Sequence, residues 1–270
     1  MQTNSSQSGN APLRGRHALV SGAGSGIGEA IAIELAQRGA TVTLLGRNVD
    51  ALKRVTQALN DNGNVSDHGW VQADVANPQA LQVAVEAAVA ARGNIAILVN
   101  NAGVALSAPM TKTTSDQWQT MLDVNLGGTF HCIQAVLPGM QAAKWGRIVN
   151  VSSTAGLRGY AYVAAYCAAK HGVIGLTRAL ALEVARQGIT VNAVCPGYTD
   201  TPLLDAAVEN IVQKTGRSPE QAKTTLASNN PQGRLVTPQE VANAVAWLCL
   251  AGSESINGQS IAVAGGEVMQ

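Results

Sequence analysis

The stretch "HALVSGAGSGIGEAIAIELAQRG", residues 17–39, decides the fold. Its opening "HALVSG" (17–22) is a short apolar run of the kind that makes a buried strand, and "GIGEAIAIELAQRG" (26–39) repeats apolar residues at helical spacing. Between them lies "SGAGSGIG" (21–28), a glycine-rich turn that opens the helix. Glycines permit the tight turn and close backbone approach, and a helix N-terminus offers N–H groups and a positive dipole to a pyrophosphate. The strict G-x-G-x-x-G spacing is not met, because Ile27 stands where the third glycine would follow Gly22 and Gly24. G-x-x-x-G-x-G is met on Gly22, Gly26 and Gly28, which with Ser25 and Ile27 become candidate cofactor contacts. The bland alternative, glycines serving only the turn, is disfavoured by the position after a strand and before a helix.

The same alternation runs outward from this unit. "ATVTLLG" (40–46), "GWVQADV" (69–75), "NIAILVNNAG" (94–103), "GRIVNVSS" (146–153), "GITVNAVCPG" (188–197) and "GQSIAVAGG" (258–266) read as strands. Helical spacing predicts "VDALKRVTQALN" (49–60), "PQALQVAVEAAVAARG" (78–93), about 115–142, about 163–186 and "PQEVANAVAWLCL" (238–250). About seven strands interleaved with six helices specify an α/β fold, a single-domain Rossmann-type doubly wound parallel sheet with helices on both faces. Residues 1–12, rich in Ser, Asn and Gln, read as a disordered tail, and 13–270 as the domain. The rhythm lapses at about 202–235, an interval long enough to be a substrate lid or binding loop.

Composition narrows the function. Apolar residues make up 46% and charged residues 13%, with a single Phe, so the core must be built from Ala, Val, Leu and Ile. Lys+Arg number 18 against 17 Asp+Glu, a balance that favours neither nucleic acid nor an anionic membrane as partner. Cys132, Cys167, Cys195 and Cys249 have neither metal-site nor disulfide-framework spacing, and no metal is expected. Reduced thiols and an N-terminus without signal-peptide character point to a cytoplasmic protein.

Two places carry chemistry. At the end of the second strand, where a ribose-clamping carboxylate would stand, the chain has Gly46 and then Arg47. A guanidinium pairs with a 2′-phosphate, so NADP(H) is favoured, with NAD(H) the alternative; the plainer reading makes Arg47 a solvated start to the next helix. Farther on, three of the four tyrosines crowd into "GYAYVAAYCAAKHG" (159–172). Tyr166 alone has a lysine, Lys170, one helical turn later on the same face. A nearby ammonium favours phenolate and so suits a tyrosine to proton transfer. Ser153, ending its strand thirteen residues before Tyr166, falls at the same sheet edge.

Together these residues resemble the short-chain dehydrogenase/reductase family over nearly the whole chain from about Leu13. The matching pieces are the glycine motif, "DV" at Asp74 and Val75, "NNAG" (100–103), "VN" at Asn125, "VSS" ending at Ser153, Tyr166 with Lys170, and "PGYTDT" (196–201). Ser21 departs from the family's usual threonine but keeps the hydroxyl. The resemblance implies a tetrad of Asn125, Ser153, Tyr166 and Lys170. In it Tyr166 donates a proton to the carbonyl oxygen or accepts it in reverse, and Ser153 hydrogen-bonds that oxygen. Lys170 lowers the tyrosine pKa and binds the nicotinamide ribose, and Asn125 holds a water relaying protons to solvent. It also implies that Asp74 and Val75 flank the adenine, Asn101 lines the cleft, and Thr199 and Thr201 meet the nicotinamide end.

The implied activity is hydride transfer between NAD(P)(H) and a carbonyl or secondary alcohol. The pattern, including the closing "VAGGEVM", resembles the 3-oxoacyl reductase and 3-hydroxyacyl dehydrogenase branch, with sugar, steroid or aromatic-alcohol enzymes as alternatives. Lys214, Arg217, Lys223 and Arg234 in the lid could meet the phosphates of coenzyme A or acyl carrier protein, or simply form a solvated face. The Ala-rich helices at 115–142 and 163–186 resemble those that assemble family homotetramers. A catalytically silent nucleotide-binding subunit is the alternative from another class.

Overall fold

The computed structural model describes residues 11–61 and 67–269. Most of the tail expected at 1–12 therefore lies outside the described residues. Seven strands, β1 (His17–Ser21), β2 (Thr41–Gly46), β3 (Gly69–Gln72), β4 (Ile95–Asn100), β5 (Gly146–Val151), β6 (Ile189–Pro196) and β7 (Ser260–Val263), form one sheet in the order β3-β2-β1-β4-β5-β6-β7. Every pairing in it is parallel.

Because side chains alternate across a strand, each central strand feeds two cores. Ala18 and Val20 of β1, Val42 and Leu44 of β2, and Ile97 and Val99 of β4 pack with helices α1 (Gly26–Gln37), α2 (Val49–Asp61) and α9 (Pro238–Cys249). Their neighbours Leu19, Leu45 and Leu98 turn to the other face, against α3 (Pro78–Arg92), α5 (Gly128–Ala143) and α6 (Ala164–Val184). Burial on both faces is why the strands read as continuous apolar runs. The one Phe, Phe130, is 44% exposed, so the cores are aliphatic as the composition requires.

Two regions differ from the sequence expectation. The interval at 202–235 contains two helices, α7 (Pro202–Thr215) and α8 (Pro219–Ala227), so it is no plain loop. They share a small core of Leu204, Val208, Ala222 and Leu226, separate from the sheet cores. The helix expected at about 115–142 is broken into α4 (Ser115–Leu122) and α5 by a π-helical turn over Asp123–Gly127. The hydroxyl of Thr129 donates to the Asn125 carbonyl within that turn, at 2.9 Å.

The order reverses between β1 and β4, so the crevice of a doubly wound sheet opens at their carboxyl ends. Ser21, Asn100, Val151 and Pro196 end their strands on that rim.

Candidate active site

The glycine turn is built on the end of β1. Gly22 has φ +65°, and a Cβ there would stand 2.9 Å from Ala102 Cα, so only glycine lets β1 and the segment after β4 approach this closely. Ser21 stitches the same two segments: its Oγ accepts from the backbone N–H of Asn101 (3.0 Å) and Ala102 (3.1 Å). Asn101 returns the contact through Nδ2, donating to the carbonyls of Ser21 (3.1 Å) and Gly22 (3.2 Å). Asn101 thus shapes the cleft by bracing the glycine turn. The N-cap of α1, Ser25, makes no side-chain capping hydrogen bond, which leaves the first-turn N–H groups for an anion. Thr201 reaches over the turn, its Cβ 3.2 Å from where a Cβ of Gly26 would be.

Beside this turn a cavity is lined by Gly22, Gly46, Arg47, Asp74, Val75 and Gly103 among others. It brings together the residues read from sequence as the adenosine end. Arg47 Nη1 lies 3.7 Å from Asp74 Oδ2, and the Arg47 side chain is 70% exposed. So open a pair is weak, and the guanidinium is available to a ligand. Asp74 also fixes its own turn, Oδ1 accepting from the Ala76 N–H at 3.0 Å. An uncapped helix end, a glycine cradle and an open guanidinium at one rim fit a dinucleotide.

At the other side of the rim, Ser153 follows β5 and its Oγ accepts from the Ala155 N–H at 3.1 Å. Tyr166 and Lys170 stand one turn apart near the start of α6, with the Lys170 Nζ 5.6 Å from the Tyr166 ring centroid. The buried ammonium donates to the Val151 carbonyl at 2.9 Å. Asn125 is fully buried in the π turn. Its Nδ2 donates to the carbonyls of Met121 and Val104 (both 3.0 Å), and its Oδ1 accepts from the Val104 N–H at 3.3 Å. A Cβ at Gly103 would stand 2.8 Å from Asn125 Oδ1 and 3.7 Å from Lys170 Nζ, so all three converge. Thr199 is buried, its hydroxyl donating to the Gly197 carbonyl at 3.0 Å, and Thr201 donates to the Thr199 carbonyl at 3.3 Å.

Burial dominates the electrostatics. The Tyr166 phenol is pushed up to about 12 by burial, with the Ser153 hydroxyl acting against it. Lys170 is pushed down to about 8 by burial, with Cys195 acting against it. The ammonium sits against the tyrosine ring without a hydrogen bond to its hydroxyl, and its charge is anchored on β5.

Sequence reasoning passed over three residues of this rim. Tyr198, at the end of β6, packs edge-on against Tyr160, with ring centroids 6.4 Å apart. Arg158 and Glu267 form an ion pair at 3.1 Å beside them. The partners are 109 residues apart in the chain, a distance no local pattern spans.

Comparison with known proteins identifies the family. The family model described as short chain dehydrogenase matches residues 16–211. The D-beta-hydroxybutyrate dehydrogenase of Cupriavidus necator is 38% identical, the match covering 96% of this chain and all of the relative. A 3-oxoacyl-acyl-carrier-protein reductase, FabG, of Vibrio cholerae is also 38% identical, over 95% of this chain and 99% of its own. Among solved structures, an actinorhodin polyketide ketoreductase variant with NADPH superposes with a TM-score of 0.90 at 37% identity, covering 93% of this chain and 97% of its own. Levodione reductase superposes with the same TM-score at 31% identity, covering 94% and 98%. Such proteins interconvert a carbonyl and a secondary alcohol by hydride transfer with a nicotinamide cofactor, and this chain, an oxidoreductase of that kind, belongs to the short-chain dehydrogenase family.

Proposed function

We propose that the protein is an NADP(H)-preferring reductase of 3-oxoacyl thioesters, able to run in reverse as a 3-hydroxyacyl dehydrogenase. The observation that carries the reading is the convergence of Ser153, Tyr166, Lys170 and Asn125 at the rim that holds the glycine turn. The bound nicotinamide supplies or takes the hydride. Gly22, Ser25, Gly26, Ile27 and Gly28 would hold its pyrophosphate at the start of α1. Asp74, Val75 and Asn101 would line the adenosine side, and Thr199 and Thr201 the nicotinamide side.

The chain's own residues handle the proton. Ser153 donates to the substrate oxygen and holds it within reach of Tyr166. Tyr166, kept protonated by burial, gives its proton to that oxygen during reduction and takes it back during oxidation. Lys170 sets the ribose and the charge beside the phenol, and Asn125 holds the backbone of Val104, next in the chain to the Gly103 that stands beside Lys170. Arg47, open and weakly paired, supports a 2′-phosphate over a bare ribose.

Similarity to a 3-oxoacyl-acyl-carrier-protein reductase supports a carrier-linked substrate, while Lys223, paired with Asp200 and Asp205, and Arg234, paired with Glu240, favour the solvated-face reading of the lid cations. The exposed Phe130 and Leu182, on α5 and α6, support a homotetramer assembled through those helices. Free thiols at all four cysteines and the absence, among the described residues, of any helix able to cross a membrane support a cytoplasmic enzyme. A cyclic ketone is the second reading, favoured by the Tyr160–Tyr198 pair and by the likeness to levodione reductase.

The test is oxidation of NADPH and NADH, in parallel, with 3-oxoacyl thioesters and cyclic ketones. Thioester turnover with NADPH preferred is expected. Preference for NADH would overturn the Arg47 assignment alone, and cyclic-ketone turnover without thioester turnover would select the second reading.

A further inference from the structure

Glu267, on the turn after β7, is a buried charge with no part in the proton transfer just described; its side chain is 1% exposed. Oε1 accepts from Arg158 Nη2 at 3.1 Å and from the Tyr160 hydroxyl. Oε2 is buried without a partner, and a Cβ on Gly197 would stand 2.8 Å from it. The Tyr160 hydroxyl in turn meets Thr154 Oγ1 at 2.9 Å, one residue beyond Ser153. Arg158 lies over the Tyr160 ring, 4.6 Å from its centroid, and Tyr198 closes the group edge-on from the end of β6.

This cluster joins the segment carrying Ser153 to the segment carrying Gly197, and Ser153 and Tyr198 both act on the Tyr166 phenol, which sets the cluster as a wall beside it. Two phenols and one matched ion pair make that wall aromatic and of zero net charge. Its cation is already neutralised, and the second cation of the site, Lys170, is buried and tied to Val151. A substrate carboxylate entering here would lose hydration and meet a guanidinium already neutralised by the buried Glu267 behind it.

We propose that Glu267 is a specificity-determining residue: by holding Arg158 and Tyr160 it keeps the pocket wall neutral, so that uncharged ketones are reduced in preference to keto acids. The proposal rests on the reductase reading and specifies the charge of its substrate. It also separates this chain from the hydroxybutyrate dehydrogenase it resembles, whose name denotes a free acid.

Acetoacetate and ethyl acetoacetate share a reacting ketone and differ in charge. Their kcat/KM values are to be compared for the wild type, Glu267→Gln and the double variant Arg158→Gln/Glu267→Gln. The wild type is expected to favour the ester by about tenfold or more, the scale of one buried polar group left unsatisfied. Glu267→Gln keeps the side-chain shape and releases the guanidinium, so the preference should shrink about tenfold, mainly through a lower KM for the acid. The double variant should lose that gain. A wild type that reduces acid and ester equally well overturns the inference while leaving the reductase reading intact, and requires no variant to fold. An unchanged ratio in a folded Glu267→Gln protein also overturns it. Failure to reduce either compound by a protein that turns over 3-oxoacyl thioesters would overturn this inference alone, whereas failure with the thioesters and cyclic ketones as well would remove the reductase reading with it.

Discussion

The Lys170 ammonium is bonded to the Val151 carbonyl at 2.9 Å and stands 5.6 Å from the centre of the Tyr166 ring. The strand thus sets where the charge sits, while the helix sets where the phenol sits. Replacing Tyr166 by Phe removes the proton donor and leaves both supports in place. Turnover should fall by about 10²–10⁴-fold, with cofactor affinity within a few-fold of wild type by fluorescence titration. Retained turnover would remove Tyr166 from the mechanism.

Lys170 also leaves a signature in stability. Its pKa is lowered by burial from 10.5 to about 8, so between those values the unfolded chain binds more protons than the folded one. Stability from this group therefore rises with pH through that window and is flat below about pH 7. Relative to Lys170→Met, the wild type should gain on the order of 3 kcal/mol between about pH 7.5 and 10.5 in denaturant titrations. A difference that stays constant or falls with pH would contradict the burial argument.

Among the described residues the Arg47 guanidinium has one ion pair, the 3.7 Å pair with Asp74. Arg47→Ala should leave the melting temperature nearly unchanged. It should lower kcat/KM for NADPH by about 10–100-fold, the scale of a lost charge-assisted contact, with NADH altered only a few-fold. Equal losses with both cofactors would mean that Arg47 does not read the 2′-phosphate.

Behind the site a buried polar ladder crosses from β4 to α6. Asn100 Nδ2 donates to Asn150 Oδ1 at 2.8 Å, and Asn150 Nδ2 donates to Thr177 Oγ1 at 2.8 Å. Asn150→Ala would orphan the Asn100 amide next to its already unpartnered Oδ1. The expected cost is about 2–3 kcal/mol in the midpoint of urea unfolding, without a change in slope. A cost under about 0.5 kcal/mol would show that water replaces the ladder.

The strands and the rim residues were legible in the sequence because both follow from short-range chemistry. Leu19, Leu45 and Leu98 face one core and their neighbours the other, so the runs are apolar throughout. The turn from Ser21 to Gly28 and the Tyr166–Lys170 spacing are likewise local. Helices α7 and α8 were hidden because their apolar residues pack on each other and not on the sheet, though their start signals are present: Pro202 after Thr201, and Pro219 after Ser218 with a capping box to Gln221. The π turn was hidden because helical spacing of apolar residues continues on both sides of it. Glu267 was hidden because its partners, Arg158 and Tyr160, come from a distant part of the chain.

The π turn at Asp123–Gly127 means that this stretch of helix is one residue longer than regular winding requires. Deleting a single residue there would let α4 and α5 merge into a seamless helix, with every hydrogen bond in register. It would leave α5 and the His131 contact with Val75 in place, because the wide turn absorbs the surplus residue, but it would close the turn in which Asn125 sits and to whose carbonyl Thr129 donates. An alignment gap of one residue at this point would therefore mark a protein that keeps the sheet but has lost the seat of Asn125.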